Sequence, residues 1–396
     1  MKARPPHNIY LDYAATTPVD PRVVRAMLPY FSEKFGNTMS LHSFGQEAKQ
    51  ALEESREVVA DLMGAKNSEI IFTSSATESN NLALKGVAFA NKKKGKHIII
   101  SSIEHSCIME CSKWLEKEGF EITRLPVDEY GLVNLGDLKR AIKKDTILVS
   151  LIHASNEIGT IQPIEEIGKI VRSQKPKAKS QIYFHTDTAQ TLGKIPIDVN
   201  RMNVDLLTAS SHKMYGPKGA ACLFIREGTK IEPLLHGGGH EAGLRSSTVN
   251  VAAIVGFAQA CKLCKKEMGE EANRLTKLRD KLIKEVLEKI PNSYLNGHLK
   301  MRLPNNTNFS FSFVEGESII IQLDLLGIAA STGSACATAK LEPSHVLLAI
   351  GLKPERAHGS LRLTLGRWTK KSEINYLLKV LPEIIKKLRK ISPFKK

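Results

Sequence analysis

Ser210-Ser211-His212-Lys213-Met214-Tyr215-Gly216-Pro217-Lys218-Gly219 joins two apolar runs, Val204 to Ala209 and Ala220 to Ile225. Both runs have the length and continuous apolar character of strands buried on two faces, and Gly216-Pro217 marks a turn between them. A lysine at the end of such a strand, ringed by Ser, His, Gly and Pro, is poorly explained as a solvated charge. Two readings stay open for this stretch alone: a surface turn that reverses the chain, or a chemical lysine of the kind that forms a Schiff base with a carbonyl compound.

Working outward, strands and helices alternate. The pattern predicts strand Ile70 to Thr73, helix Thr77 to Asn91, strand His97 to Ser101, a helix around Cys107 to Lys117 and strand Phe120 to Leu125. A helix near Leu135 to Ile142, strand Ile147 to Ile152, helix Ile164 to Val171 and strand Ile182 to His185 follow. Upstream, Asp20-Pro21 opens a helix closed by Gly36, and Ser43 to Met63 forms an amphipathic helix ending at Gly64. Apolar strands alternating with helices predict an α/β fold with a largely parallel sheet buried on both faces. After a long helix, Val249 to Ile290, the pattern changes to a smaller α+β unit, so the domain boundary falls within or just after that helix.

Bulk properties limit the alternatives. At 396 residues the chain holds about two domains. The first eight residues lack an apolar core of signal-peptide length, and no run of about 18 apolar residues occurs, so a soluble cytoplasmic protein is expected. Six cysteines in so long a chain are not a disulfide framework. Cys261 and Cys264 form a C-x-x-C inside a helical segment with no second pair at zinc-site spacing, and are read as structural. The net charge of +16 comes from lysines spread along the chain without interleaved aromatics, which reads as a solvated exterior, with an acidic or phosphate-bearing partner left open.

In an open α/β sheet, ligands sit beyond the carboxyl ends of the strands, and the chemically interesting residues fall there. Ser74-Ser75-Ala76-Thr77 opens a helix as a phosphate cradle does, or merely caps it. Glu104-His105, Asn156-Glu157, Asp187 with Gln190, and Ser210, His212 and Lys213 end the other strands. A cradle, a carboxylate, a flat ring for stacking and a reactive lysine are together the parts of a pyridoxal phosphate site.

These residues carry a family resemblance. Ile9-Tyr10-Leu11-Asp12-Tyr13-Ala14-Ala15-Thr16-Thr17-Pro18, Phe72 to Asn81, Asn156-Glu157-Ile158-Gly159, Ser211-His212-Lys213 and Ser331-Thr332-Gly333-Ser334-Ala335-Cys336 together resemble the cysteine desulfurases of the NifS/IscS type, over about residues 8 to 370. The resemblance implies a pyridoxal-phosphate-dependent transferase of fold type I. Its large domain, 21–265, would carry a mostly parallel seven-stranded sheet flanked by helices. A smaller α+β domain, 266–396, would carry the cysteine loop, with segment 1–20 packing against it.

The resemblance also implies roles. Lys213 would hold pyridoxal 5'-phosphate and act as proton-transfer base; Asp187 would face the ring nitrogen, Gln190 and Asn156 the ring oxygen, and His105 would stack on the ring. Ala76, Thr77, Ser210 and His212 would bind the phosphate, with Thr248 reaching in from the second copy of a homodimer. Arg362, with Asn156, would bind the carboxylate of L-cysteine. Cys336, among small neighbours, would be the nucleophile that keeps the sulfur as a persulfide; no metal site is implied beyond a transient cluster contact at Cys336. Sulfur would pass to an acceptor such as an iron–sulfur scaffold protein or to tRNA thiolation, with no membrane partner. Departures from the family pattern are Ser75, where glycine is frequent, residues 37–42, and Ala337-Thr338. The alternatives are a selenocysteine lyase, another aminotransferase of the same fold, or a basic binding protein without turnover.

Overall fold

The computed structural model describes residues 8–174, 181–333 and 343–393. The chain enters through β1 (Ile9–Tyr10), α1 (Pro21–Met27), α2 (Pro29–Ser32) and α3 (Ser43–Met63). It then alternates through β2 (Ile70–Thr73), α4 (Ala76–Asn91), β3 (His97–Ser101), α5 (Ser106–Lys117), β4 (Glu121–Leu125), α6 (Leu135–Ala141), β5 (Thr146–Ile152) and α7 (Ile164–Gln174). Strands β6 (Tyr183–Asp187), β7 (Leu206–Ser210) and β8 (Ala221–Ile225) precede the long helix α8 (Val251–Lys289). The remainder is β9 (Ser293–Leu295), β10 (Asn306–Phe311), α9 (Gly316–Leu325), β11 (Ile328–Ala329), α10 (His345–Ala349), α11 (Pro354–His358), β12 (Ser360–Thr364) and α12 (Lys371–Ile391).

Seven strands form one sheet in the order β2-β8-β7-β6-β5-β3-β4. The pairs β3–β4, β3–β5, β5–β6 and β6–β7 are parallel, whereas β8 runs antiparallel to both β7 and β2. The connection 211–220 is too short for a crossover, which forces that reversal. Side chains alternate between two apolar layers as strand geometry requires. Phe72, Ile99, Val149, Phe184, Leu207 and Phe224 face α3, α6, α7 and the first half of α8. Ile71, Ile98, Leu148, Tyr183, Leu206 and Leu223 face α4 and α5. Burying each such side chain is worth about 1.5–3 kcal/mol, so a one-residue register slip would exchange the layers at large cost.

The first half of α8 packs into the sheet core through Ala253 to Cys264, while Leu275 to Val286 join a second core with β10, β12, α9, α12 and the N-terminal Ile9 and Leu11. That second unit is built on a three-stranded antiparallel sheet, β12-β10-β9, beside the parallel pair β1–β11. Arg367, just past β12, ties the two units together. Its guanidinium meets Asp20 at 2.7 Å, Glu271 at 3.1 Å and Glu267 at 3.2 Å and lies 4.3 Å from the Tyr215 ring centroid.

Two local expectations change. The helix opened by Asp20-Pro21 does not run to Gly36 but breaks at Leu28, because Pro29 lacks the N–H an unbroken helix needs and starts α2 instead. Asp187 is the last residue of β6 rather than a loop residue beyond it, so the sheet itself fixes its backbone.

Candidate active site

The carboxyl ends of β2, β3, β5, β6 and β7 open on a cavity of about 160 Å³ lined by Ser75, Ala76, Thr77, His105, Cys107, Ile152, Ala154, Asn156, Asp187, Ala189, Gln190, His212 and Lys213. Two larger clefts, of about 450 and 480 Å³, lie elsewhere, one at Arg56 and Glu241 and one at Phe313 and Arg356. Neither gathers a comparable set of reactive side chains, so chemistry rather than size selects the smaller cavity.

At one wall stands the N-terminus of α4. Ser75 caps it, its Oγ accepting from the Glu78 N–H at 3.2 Å, while Ala76 and Thr77, the first two residues of this 16-residue helix, line the cavity. Ser75 adopts extended backbone at φ −163°, so its replacing a frequent glycine costs nothing here. His212 lines the same wall, its Nδ1 3.0 Å from Thr16 Oγ1. Burial, then Lys213 and Lys218, push the imidazole down to about 4, so it is neutral at physiological pH. Helix N–H groups with a neutral histidine suit a phosphate.

Opposite, Asp187 is almost wholly buried, with Oδ2 accepting from Asn80 Nδ2 at 2.7 Å and Oδ1 from the Ala189 N–H at 2.8 Å. Two donors pin the carboxylate toward the cavity. His105 caps α5, its Nδ1 accepting from the Cys107 N–H at 3.3 Å. Burial lowers its proton affinity, and because Nδ1 is an acceptor, the neutral ring carries its proton on Nε2. Lys213 sits in the single turn that follows β7; its Nζ donates to the Ala14 carbonyl at 2.5 Å and the Ala15 carbonyl at 2.7 Å. Gln190 Nε2 donates to the same Ala14 carbonyl at 2.9 Å.

Arg362, on β12 of the smaller unit, meets the cavity wall at Asn156. It donates to the Asn156 carbonyl at 3.0 Å and the Gly333 carbonyl at 3.3 Å, and pairs with Asp12 at 2.8 Å. Its buried Nε has no partner among the described residues. Ser210 is buried at the end of β7 and does not line the cavity, Thr248 is exposed on the surface, and Cys336 lies outside the described residues. Sequence reasoning missed Asp12, Asn80, Cys107 and the Ala14–Ala15 carbonyls. A buried amide on a helix and an acid inside the apolar run Ile9 to Tyr13 were signals for Asn80 and Asp12; the carbonyls gave none.

Beneath His105, Glu104 is fully buried. Its Oε1 accepts from Ser101 Oγ at 2.5 Å and the Ile152 N–H at 2.9 Å, Oε2 has no partner among the described residues, and burial pushes the carboxyl up to about 8. A raised folded value contributes stability that is complete below the ordinary carboxyl range and is lost as pH rises through about 8. Glu104→Gln keeps the shape without the ionisation, so its stability should fall less than the wild type's between pH 5 and pH 8, by up to about 1 kcal/mol per pH unit. Urea unfolding across that range measures the difference; parallel curves would contradict it.

An anion cradle, a buried carboxylate, a flat ring and an amine converging on one cavity fit pyridoxal phosphate by their chemistry. Comparison with known proteins agrees. The chain matches the aminotransferase class-V family over residues 9–377 and belongs to it; enzymes of this family work with pyridoxal 5'-phosphate. Within that class, it is 56% identical to the cysteine desulfurase IscS of Dictyoglomus turgidum over 388 residues, 98% of this chain and 97% of the relative. It is 52% identical to cysteine desulfurase IscS 1 of Archaeoglobus fulgidus over 384 residues, 97% of this chain and 98% of that one. A solved NifS-like protein superposes with a TM-score of 0.90 at 39% identity, covering 96% of this chain and all of its own.

Proposed function

We propose that this chain is a cysteine desulfurase, which takes sulfur from L-cysteine, releases L-alanine and keeps the sulfur as a persulfide on Cys336. The observation that carries the reading is the meeting of Lys213, Asp187, His105 and the α4 N-terminus in one cavity whose Asn156 wall is bonded to buried Arg362, a guanidinium with its Nε unpartnered among the described residues. Lys213 would hold the cofactor's carbonyl carbon, Asp187 its ring nitrogen, Gln190 and Asn156 its ring oxygen, and His105 its ring face. Ala76, Thr77 and His212 would hold its phosphate, without Ser210, which is buried behind the cavity wall. When bound, pyridoxal phosphate supplies the electron sink that makes an amino acid's α-proton acidic and its carbon–sulfur bond cleavable.

The chain's own groups do the rest. Arg362 orients the substrate carboxylate with its guanidinium fork, Asp12 and the two backbone carbonyls fixing the plane of that fork. Lys213, displaced by the substrate amine, moves the α-proton. The Cys336 thiolate attacks the substrate sulfur; a sulfur–sulfur bond forms as the Cβ–S bond breaks, its electron pair stays with Cβ, and protonation there completes alanine. The five described cysteines do not compete for this role, since burial raises every one of those thiols, Cys107 in the cavity to about 12.

Arg362→Lys keeps the charge and loses the fork, so KM for L-cysteine should rise at least about tenfold, a loss of one good charge-assisted bond, while the visible spectrum stays the same. An unchanged KM would remove Arg362 from the substrate site. Alanine release from L-cysteine, with selenocysteine as competitor, tests the activity; strong preference for selenocysteine would move the chain to the lyases.

The chain is further read as two working domains, 21–265 and 266–396, with segment 1–20 on the second, and as a cytoplasmic homodimer. Leu28, Phe31, Phe35, Met39, Leu41 and Phe44 are each more than half exposed within one short stretch, more apolar surface than a monomer usually shows water. Exposed Thr248 would then reach the other copy's phosphate site. The persulfide would pass to an acceptor protein such as an iron–sulfur scaffold, or toward tRNA thiolation. No helix among the described residues is long and apolar enough to cross a membrane.

A further inference from the structure

Lys194 is a buried cation that the chemistry above does not use. It follows Gly193 in the turn after β6, is 9% exposed, and sends both hydrogen bonds of its Nζ to Gln190, at 2.9 Å to the carbonyl and 3.4 Å to Oε1. Gly193 sits at φ +76°, and a Cβ there would come within 3.0 Å of Cys264 Sγ and Met214 Cε, so the turn that aims Lys194 inward calls for glycine. Gln190 passes the connection on. Its Nε2 donates at 2.9 Å to the Ala14 carbonyl, which also accepts from Lys213 Nζ at 2.5 Å. A hydrogen-bonded path therefore runs from one amine to the other through a single amide and a single carbonyl.

We propose that Lys194 is a positioning residue for the reaction: it fixes which end of the Gln190 amide faces the cofactor's ring oxygen, and its charge is coupled to that of Lys213. The proposal rests on the reading of Gln190 and Lys213 given above. With Oε1 turned to the ammonium, the amide NH₂ is left for Ala14 and for the ring oxygen. The opposite flip would set NH₂ against an ammonium and oxygen against a carbonyl, two repulsive contacts. The groups facing Lys194 are Lys213 and Tyr215 from the turn after β7, and Cys264 and Glu271 from α8. Burial first and Lys213 second push the Lys194 ammonium down to about 7, against Cys264 and Glu271. Repulsion is mutual, so a charge on Lys194 favours the uncharged form of Lys213 that a base requires.

The test is a pH titration of the visible absorbance of the holoenzyme, with melting temperature as a check on folding. Lys194→Met should move the titration midpoint upward by about one unit, the effect of removing one like charge nearby. Its kcat should fall about tenfold, with KM for L-cysteine changed less than twofold. Lys194→Arg, which restores the charge, should return the midpoint toward the wild-type value. If the methionine variant does not fold, Lys194→Gln is expected to give the same upward shift. A folded neutral variant with an unmoved midpoint overturns the proposal. A wild-type enzyme with no bound-cofactor visible band at all, or one whose band persists in Lys213→Ala, would instead remove Lys213 as the cofactor lysine, and a wild-type band that does not titrate would overturn the coupling to Lys194.

Discussion

Lys213→Ala should give a folded protein that is colourless after incubation with pyridoxal phosphate and dialysis, with alanine release from L-cysteine reduced by at least about a hundredfold. The expectation follows from what Nζ does. It stands in the turn after β7 inside the cavity, with donor bonds to the Ala14 and Ala15 carbonyls at 2.5 and 2.7 Å, and it faces His105 and Asp187 across the same space. Removing it takes away the attachment point and the base together, and no neighbour can replace either. Lys194 is spent on Gln190, and Lys218 is exposed on the far side of the Gly216-Pro217 turn. Fold should survive, because the β7 and β8 layers are held by apolar side chains on both faces. A variant that kept the bound-cofactor absorbance would refute the assignment.

Cys336→Ser should separate the two halves of the chemistry. Lys213, Asp187, His105 and the α4 N-terminus are untouched, so the protein stays yellow and L-cysteine still perturbs its spectrum. Alanine formation should fall on the order of a thousandfold, since a hydroxyl at neutral pH is not the nucleophile that a thiolate is. The measurement is alanine release and persulfide labelling on the same sample. Residual alanine near the wild-type rate would show that another group takes the sulfur. Cys107 is the described thiol that lines the cavity, yet burial and the proximity of Asp187 hold it protonated against the donor bond from Asn80 Nδ2 at 3.2 Å.

Much of the architecture was legible because the strands are continuous apolar runs. Ile98 to Ile100 and Ile147 to Ile152 are buried on two faces and leave a helix reading no polar stripe to work with. Strand ends were legible for the same reason, since a polar residue closing such a run, as Asp187 closes β6, must meet either a partner or a ligand. The antiparallel entry of β8 was not read, though the short 211–220 connection held the information. Contacts across long sequence separation left no trace: Asp12 and Arg362 are 350 residues apart, and a backbone carbonyl such as that of Ala14 has no signature in its side chain. The break at Pro29 was visible and was overridden by the more distant Gly36.

The charge of +16 finds no place in this site, where burial pushes Lys194 and His212 toward neutrality. Buried neutral histidines have a consequence of the same kind. His153 and His212, both at about 4, gain protons in the unfolded chain before they do in the folded one. Their stability is therefore complete above the ordinary histidine range and lost as pH falls toward 4, opposite in sign to Glu104.

The most direct test is a single turnover of the holoenzyme with one equivalent of L-cysteine and no reductant, read by mass spectrometry of the intact chain and of its peptides. One alanine per active site should appear together with one added sulfur atom on the peptide containing Cys336, and neither should appear in the Cys336→Ser variant. Alanine with no added sulfur on that peptide, or sulfur carried on a different cysteine, would contradict the account.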